Sequence, residues 1–344
     1  MPCGHRLSCW CSPLRSDSSE RSGKECRCRE DAAAGEREGR GSPVNAVSAL
    51  LTAGYFLIFN LTYSVIWFVS VLLLRPMLRM VGHELPRGYT DVWATGWGVA
   101  LLRGGLFLSR ARVRLNMDDR IADHDGPFVV VMNHQATFDI AVAFYVLWRA
   151  GGRRMRWVLK KELLRAPVVR QACLETRSAF VDRRNRRQAA AELRRFAADL
   201  KQDRVSGVIF VEGTRATPDK IRRSRWQNLL EPRPAGFAVL REELPDWPVL
   251  SVTLHWHGKD GVAVFNTGIW KSLLQVECTM YEPDALPSDG GAWLEATEWP
   301  RCDALITRWK TDRTLIGQAP PWAWSLPAVC RESAAEQNCD STPL

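Results

Sequence analysis

The chain has 344 residues, a hydrophobic fraction of 46% and a charged fraction of 25%, which excludes a wholly disordered or fibrous protein and leaves room for one large domain or two modest ones. A formal net charge of +9 and 15 tryptophans suit a surface that meets anionic partners, either nucleic acid or phospholipid headgroups. The ten cysteines are scattered, and their close pairs are Cys-x-Cys rather than the Cys-x-x-Cys arms of a zinc site, so no metal is expected and a reduced, cytosol-facing chain is the simpler reading.

In chain order, residues 1–43 come first. They are polar and nearly devoid of aliphatics, with eight Lys/Arg against seven Asp/Glu. Such a segment buries too little apolar surface to order itself, and it is too mixed in charge for the start of a signal peptide, so it is expected to be disordered. From Ser42 to Leu74 no residue is charged, and Arg75 and Arg79 close the run. A transmembrane helix needs about 20 apolar residues, so residues 44–110 read as a membrane-anchoring helical region. Its second part, Val92 to Leu108, carries Arg103 and Gly96, Gly98, Gly104 and Gly105, and reads as a half-buried interfacial helix rather than a second span.

From residue 111 to 320 the pattern is α/β, ahead of a tail at 321–344. Strands are expected at 128–132, 155–160, 178–181, 205–211 and 248–256, with helices at 138–149, 162–175 and 188–202. In the last of these helices Ala189, Leu193, Phe196, Ala197 and Leu200 share one face. Strands alternating with helices imply a mostly parallel sheet flanked by helices, with ligands bound at the carboxyl ends of the strands.

Three of those ends carry chemistry. The run "FVVVM" ends in Asn133 and His134, with Asp139 five residues after the histidine. With the imidazole on the turn and Asp139 in the first helical turn, the carboxylate can fix the ring tautomer and strengthen the other nitrogen as a base. Alone, the spacing is weak, since a polar turn with Asp at a helix start gives the same string. The strand "VIFV" ends in Glu212, Gly213, Thr214 and Arg215, bringing an acceptor, a close-approach glycine, a hydroxyl and a cationic fork together. The strand "SAFV" ends in Asp182 and Arg183, and Arg suits bidentate phosphate binding. The further arginines 184, 186 and 187 read as a solvated or headgroup-facing patch. Their stretch lacks the stacking aromatics of a nucleic-acid module, so no nucleic-acid partner is expected. His255 and His257 lie on one face of a strand as a metal pair might, but no third ligand is apparent, and a structural or interface role is expected.

Together these stretches resemble the 1-acylglycerol-3-phosphate acyltransferases, the glycerolipid acyltransferase family. "NHQATFD" resembles its N-H-x4-D motif, "AFVDR" its F-x-x-R block, "FVEGTR" its E-G-T-R block, and "VLKKELLRAP" its Lys-containing stretch. The long segment after Glu-Gly-Thr-Arg is similar to a subgroup that includes bacterial and lysocardiolipin-type enzymes. The resemblance covers about residues 45 to 270. It implies a membrane enzyme with a cytosol-facing catalytic domain and no cofactor. Acyl would pass from a fatty acyl thioester of coenzyme A or acyl carrier protein to a lysophospholipid hydroxyl, giving phosphatidic acid from 1-acyl-sn-glycerol-3-phosphate. His134 would be the general base, with Asp139 orienting it. Asn133, Lys161, Arg183, Glu212, Gly213, Thr214 and Arg215 would bind substrate. Lysocardiolipin, other lysophospholipids and glycerol-3-phosphate stay open as acceptors, and from another class so does an inert, basic, membrane-tethered binding protein. The family's fourth block is only faintly matched by "WPVLSVTL", with Pro248, and a glycine common after the Lys-containing stretch is Arg170 here.

Overall fold

The computed structural model describes residues 43–86, 88–257 and 272–312. Nearly all of the segment expected to be disordered, and the tail at 321–344, lie outside the described residues. Contacts divide the chain into Met1–Ala46 and Val47–Leu344. Of the first unit only the opening turn of a helix is described. The sheet and the other helices belong to the second.

A seven-stranded sheet has the order β1-β7-β6-β2-β5-β3-β4. The strands are β1 (Arg112–Met117), β2 (Val129–Met132), β3 (Met155–Lys160), β4 (Ala179–Val181), β5 (Ser206–Phe210), β6 (Val249–His257) and β7 (Leu273–Tyr281). All neighbours are parallel except β6 and β7. The central strand β2 is apolar at every position because both its faces are covered. Val130 and Met132 pack on one face beneath α2 (Tyr89–Ser109) and α3 (Asp139–Arg149). Val129 and Val131 pack on the other with α5 (Arg186–Asp203), α6 (Pro234–Glu243) and α7 (Trp299–Thr311). The expected face of α5 is the one it buries, through Leu193, Phe196, Ala197 and Leu200, and Asn185 caps its start by accepting from the Gln188 N–H at 3.1 Å.

The elements read from sequence recur within two residues, with one exception. The helix expected at 162–175 is broken into a 3-10 turn, Lys161–Arg165, and α4 (Pro167–Glu175). Pro167 forces the break, because it supplies no N–H and holds Ala166 in extended backbone at φ −92°, ψ 105°.

Ahead of the sheet, α1 (Pro43–Met80) is the one helix among the described residues long and apolar enough to cross a membrane, with a mean hydropathy of 2.1 over Ala53–Met80. It runs antiparallel to α2. Tyr55 donates to the Ala100 carbonyl at 3.1 Å, Trp97 Nε1 to Asn60 Oδ1 at 3.0 Å, and Tyr63 to the Trp93 carbonyl at 3.0 Å. Gly104 exists to admit Tyr55, since a Cβ there would collide with its ring. The opposite face of α1 exposes Leu57, Ile58, Leu61, Val65, Leu72 and Leu73. The second apolar segment is a layer between α1 and α3, with Leu101 and Leu102 fully covered and Gly98 pressed against Phe144.

Candidate active site

Strand register assembles the site. Each residue of β2 pairs with the residue 78 positions later in β5, as Val129 does with Gly207. Carried past the strand ends, the same register sets His134 opposite Glu212. The contact is direct: the His134 backbone N–H donates to Glu212 Oε2 at 2.6 Å. In the same way Lys160 pairs with Val181, and Lys161 lies 3.5 Å from Asp182 just beyond.

His134 is fixed on every side but one. Its carbonyl accepts from the Ala216 N–H at 2.7 Å, and its ring stacks on Phe210 with centroids 4.1 Å apart. Its Nδ1 lies 3.1 Å from Asp139 Oδ2. That carboxylate is completely buried. Oδ2 also accepts from the backbone N–H of Gln135 at 2.6 Å and of Ala136 at 2.7 Å, and Oδ1 accepts from Trp256 Nε1 at 2.9 Å. An acceptor so placed makes Nδ1 the protonated nitrogen, so Nε2 carries the free lone pair. No described residue hydrogen-bonds to Nε2. Such a ring can take a proton from a group that reaches that nitrogen. Membrane-length helix and site also touch, for Phe56 of α1 meets Phe138, next to Asp139, at 5.9 Å between centroids.

Asn133 and Glu212 are braces. Asn133 is buried, with its amide donating to the Leu254 carbonyl at 3.0 Å and accepting from the Leu254 N–H at 2.9 Å, which staples β2 to β6. Glu212 is buried too, and its second oxygen accepts from the Leu230 N–H at 2.8 Å. Burial pushes its carboxyl up to about 8, against the pull of the two backbone donors. A carboxyl raised on folding keeps a proton in the native state that the unfolded chain has lost. The stability it lends is therefore full below the unfolded value of 4.5 and drains away as pH climbs towards about 8. The free energy of urea unfolding should accordingly fall, relative to that of Glu212→Gln, by on the order of a few kcal/mol between about pH 5 and 8. A constant difference between the two proteins across that range would show that Glu212 is ionised throughout.

Beside the histidine lies a cationic corner. Gly213 sits at φ +68°, a left-handed conformation that suits glycine, and a Cβ there would come 3.2 Å from Arg233 Cδ and 3.4 Å from Arg183 Cζ. The residue is thus a gap filled by two guanidinium-bearing side chains. Partial burial and the neighbouring Arg233 hold Arg183 below its ordinary range, with Glu162 only partly offsetting them. Thr214 accepts from Lys220 Nζ at 2.9 Å, and Arg215 reaches back to Thr137 Oγ1 at 2.9 Å. Lys161 stays at the edge on Asp182. Crowded like charges in a cleft are stabilised by an anion, and arginines favour phosphate.

Trp256, Leu230, Lys220 and Arg233 are contributions the motifs do not announce. Trp256 has a faint signal, since it sits between two histidines on a strand and must face the other way. His255 and His257 do face together, but into the protein. His255 meets Gln135 at 3.3 Å, His257 Nε2 meets Gln275 at 2.8 Å, and burial holds the His255 ring neutral, pushed down to about 3. Among the described residues no group of three or more His, Cys, Asp or Glu could hold a metal.

Residues 112–255 match a family model described as "Acyltransferase". No curated protein matches the chain by sequence. Among solved structures, the chain is similar to the 1-acyl-sn-glycerophosphate (LPA) acyltransferase, PlsC, from Thermotoga maritima, with a TM-score of 0.52 and 18% identity, over 77% of this chain and 99% of that one. At that identity the likeness is one of fold.

Proposed function

We propose that the chain is a membrane-bound O-acyltransferase, a reading supported by the match of residues 112–255 to the acyltransferase family model. It moves a fatty acyl group from a thioester of coenzyme A or acyl carrier protein to the free hydroxyl of a lysophospholipid, 1-acyl-sn-glycerol-3-phosphate first among them. The observation that carries this reading is an imidazole held by a buried carboxylate, on a turn bonded to Glu212, whose neighbour Gly213 is packed against Arg183 and Arg233.

The acceptor hydroxyl gives its proton to Nε2 of His134 as its oxygen attacks the thioester carbonyl carbon. The C–S bond then breaks, the departing thiolate takes the proton from the imidazolium, and an ester and a thiol remain. Asp139 keeps the ring in the reactive tautomer and stabilises the imidazolium. Arg183 and Arg233 hold the phosphate, with Arg215 and Lys161 at its rim. Asn133, Glu212 and Gly213 act by position, bracing the strand ends and leaving space. Helix α1, whose Phe56 adjoins Phe138, keeps this corner beside the lipid from which acceptor and acyl chain come.

Purified protein given lysophosphatidic acid and mixed acyl thioesters should form phosphatidic acid detectable by mass spectrometry. Thioester loss that ignores the acceptor would sink the reading. Within the site, Arg233→Gln should raise KM for lysophosphatidic acid about 10- to 100-fold, as loss of one charge-assisted contact predicts, with kcat little changed. A neutral acceptor such as monoacylglycerol should show no such rise.

A further inference from the structure

Helix α4 inverts the usual arrangement of a surface helix. On a globular domain the apolar stripe turns inward, yet none of the nine residues of α4 is buried. Val168 is 52% exposed, Val169 38% and Leu174 48%. Lys161 and Arg165 in the preceding turn, and Arg170 in the helix, stand exposed beside them. Of the two carboxylates in this stretch, Glu175 is taken by Arg75 and Gln171, and Glu162 sits near Arg183. Exposed aliphatics with a fringe of cations make up the composition of an interfacial helix, and the cations select anionic headgroups.

Placement says what covers this face. The Glu175–Arg75 pair seats α4 against the end of α1, where Leu72, Leu73 and Met77 are also exposed. Exposed aliphatics therefore lie on both helices joined by that ion pair, the membrane-length helix and α4. The turn before α4 begins at Lys161, which lies on Asp182, the chain neighbour of Arg183, so the turn that leads into α4 borders the cationic corner. We propose that α4 and its leading turn are a second membrane-contact surface, seated on anionic phospholipid, which sets the mouth of the cleft at headgroup depth. This rests on the reading of the chain as a membrane-bound enzyme.

The test uses the full chain in bilayers of phosphatidylcholine and phosphatidylglycerol, with p-benzoylphenylalanine in place of Val169, of Leu57 on α1, or of Ala198 on the outer face of α5. Light should attach phospholipid at positions 169 and 57, about tenfold above position 198, as expected of a side chain sunk below the headgroups. Lipid adducts at 57 without adducts at 169, or a protein–protein adduct of doubled mass at 169, would overturn the proposal and leave membrane attachment standing. No adduct at either position would overturn both. As a second readout, Val168→Glu with Val169→Glu should lower kcat/KM about tenfold for acceptor presented in these bilayers, and leave it unchanged for a short-chain acceptor in free solution. Equal loss in both presentations would mean that the face is structural.

Discussion

His134→Ala should lower kcat by about 10²- to 10⁴-fold, the range of a positioned general base, while the protein stays folded. The fold should survive because the two backbone bonds that set the turn, to Glu212 and from Ala216, do not use the side chain. What is lost is a ring on Phe210 and the partner of one Asp139 oxygen, and that oxygen still accepts from Gln135 and Ala136. KM for the acceptor should hardly move, since on the proposed reading its phosphate meets the arginines around Gly213 and not the imidazole. Single-turnover acyl transfer with saturating lysophosphatidic acid, beside a thermal melt, reads both quantities. A folded variant that still transfers acyl at the wild-type rate would remove the imidazole from the chemistry.

The parts that could be read in the sequence are those where one element dictates its own pattern. Strand β2 is a continuous apolar run because parallel strands are covered on both faces, and the polar residues that end it mark the ligand-bearing edge. The strand β1, "RVRLNM", alternates charge with aliphatics at the sheet border and carries no such signature. Register was out of reach, because the 78-residue offset that sets His134 on Glu212 is a property of two strands at once. Roles suffered for the same reason. The resemblance implied that Asn133 and Glu212 bind substrate, whereas in the structure their polar atoms meet the backbone of Leu254, His134 and Leu230. Arg233 was hidden in the long segment after Arg215, and only the left-handed turn at Gly213 brings it onto Arg183.

Asp139→Asn should damage both stability and rate, and the two losses should come apart. The carboxylate accepts from four donors and donates to none. An asparagine must turn its NH2 either towards Trp256 Nε1 or towards the Gln135, Ala136 and His134 donors. The first choice strands one buried N–H and the second strands three, so the amide should face Trp256, at a cost of about 1–3 kcal/mol. In that pose its oxygen still meets Nδ1 and preserves the tautomer, but a neutral amide cannot support the imidazolium that forms as the proton moves. The rate should fall about 10²- to 10⁴-fold. Adding Trp256→Phe removes the opposing N–H, so the double variant should regain part of the melting temperature and none of the rate. If the rate instead returned with the stability, Asp139 would be acting on the fold alone, and the proton transfer assigned to His134 would need no carboxylate behind it.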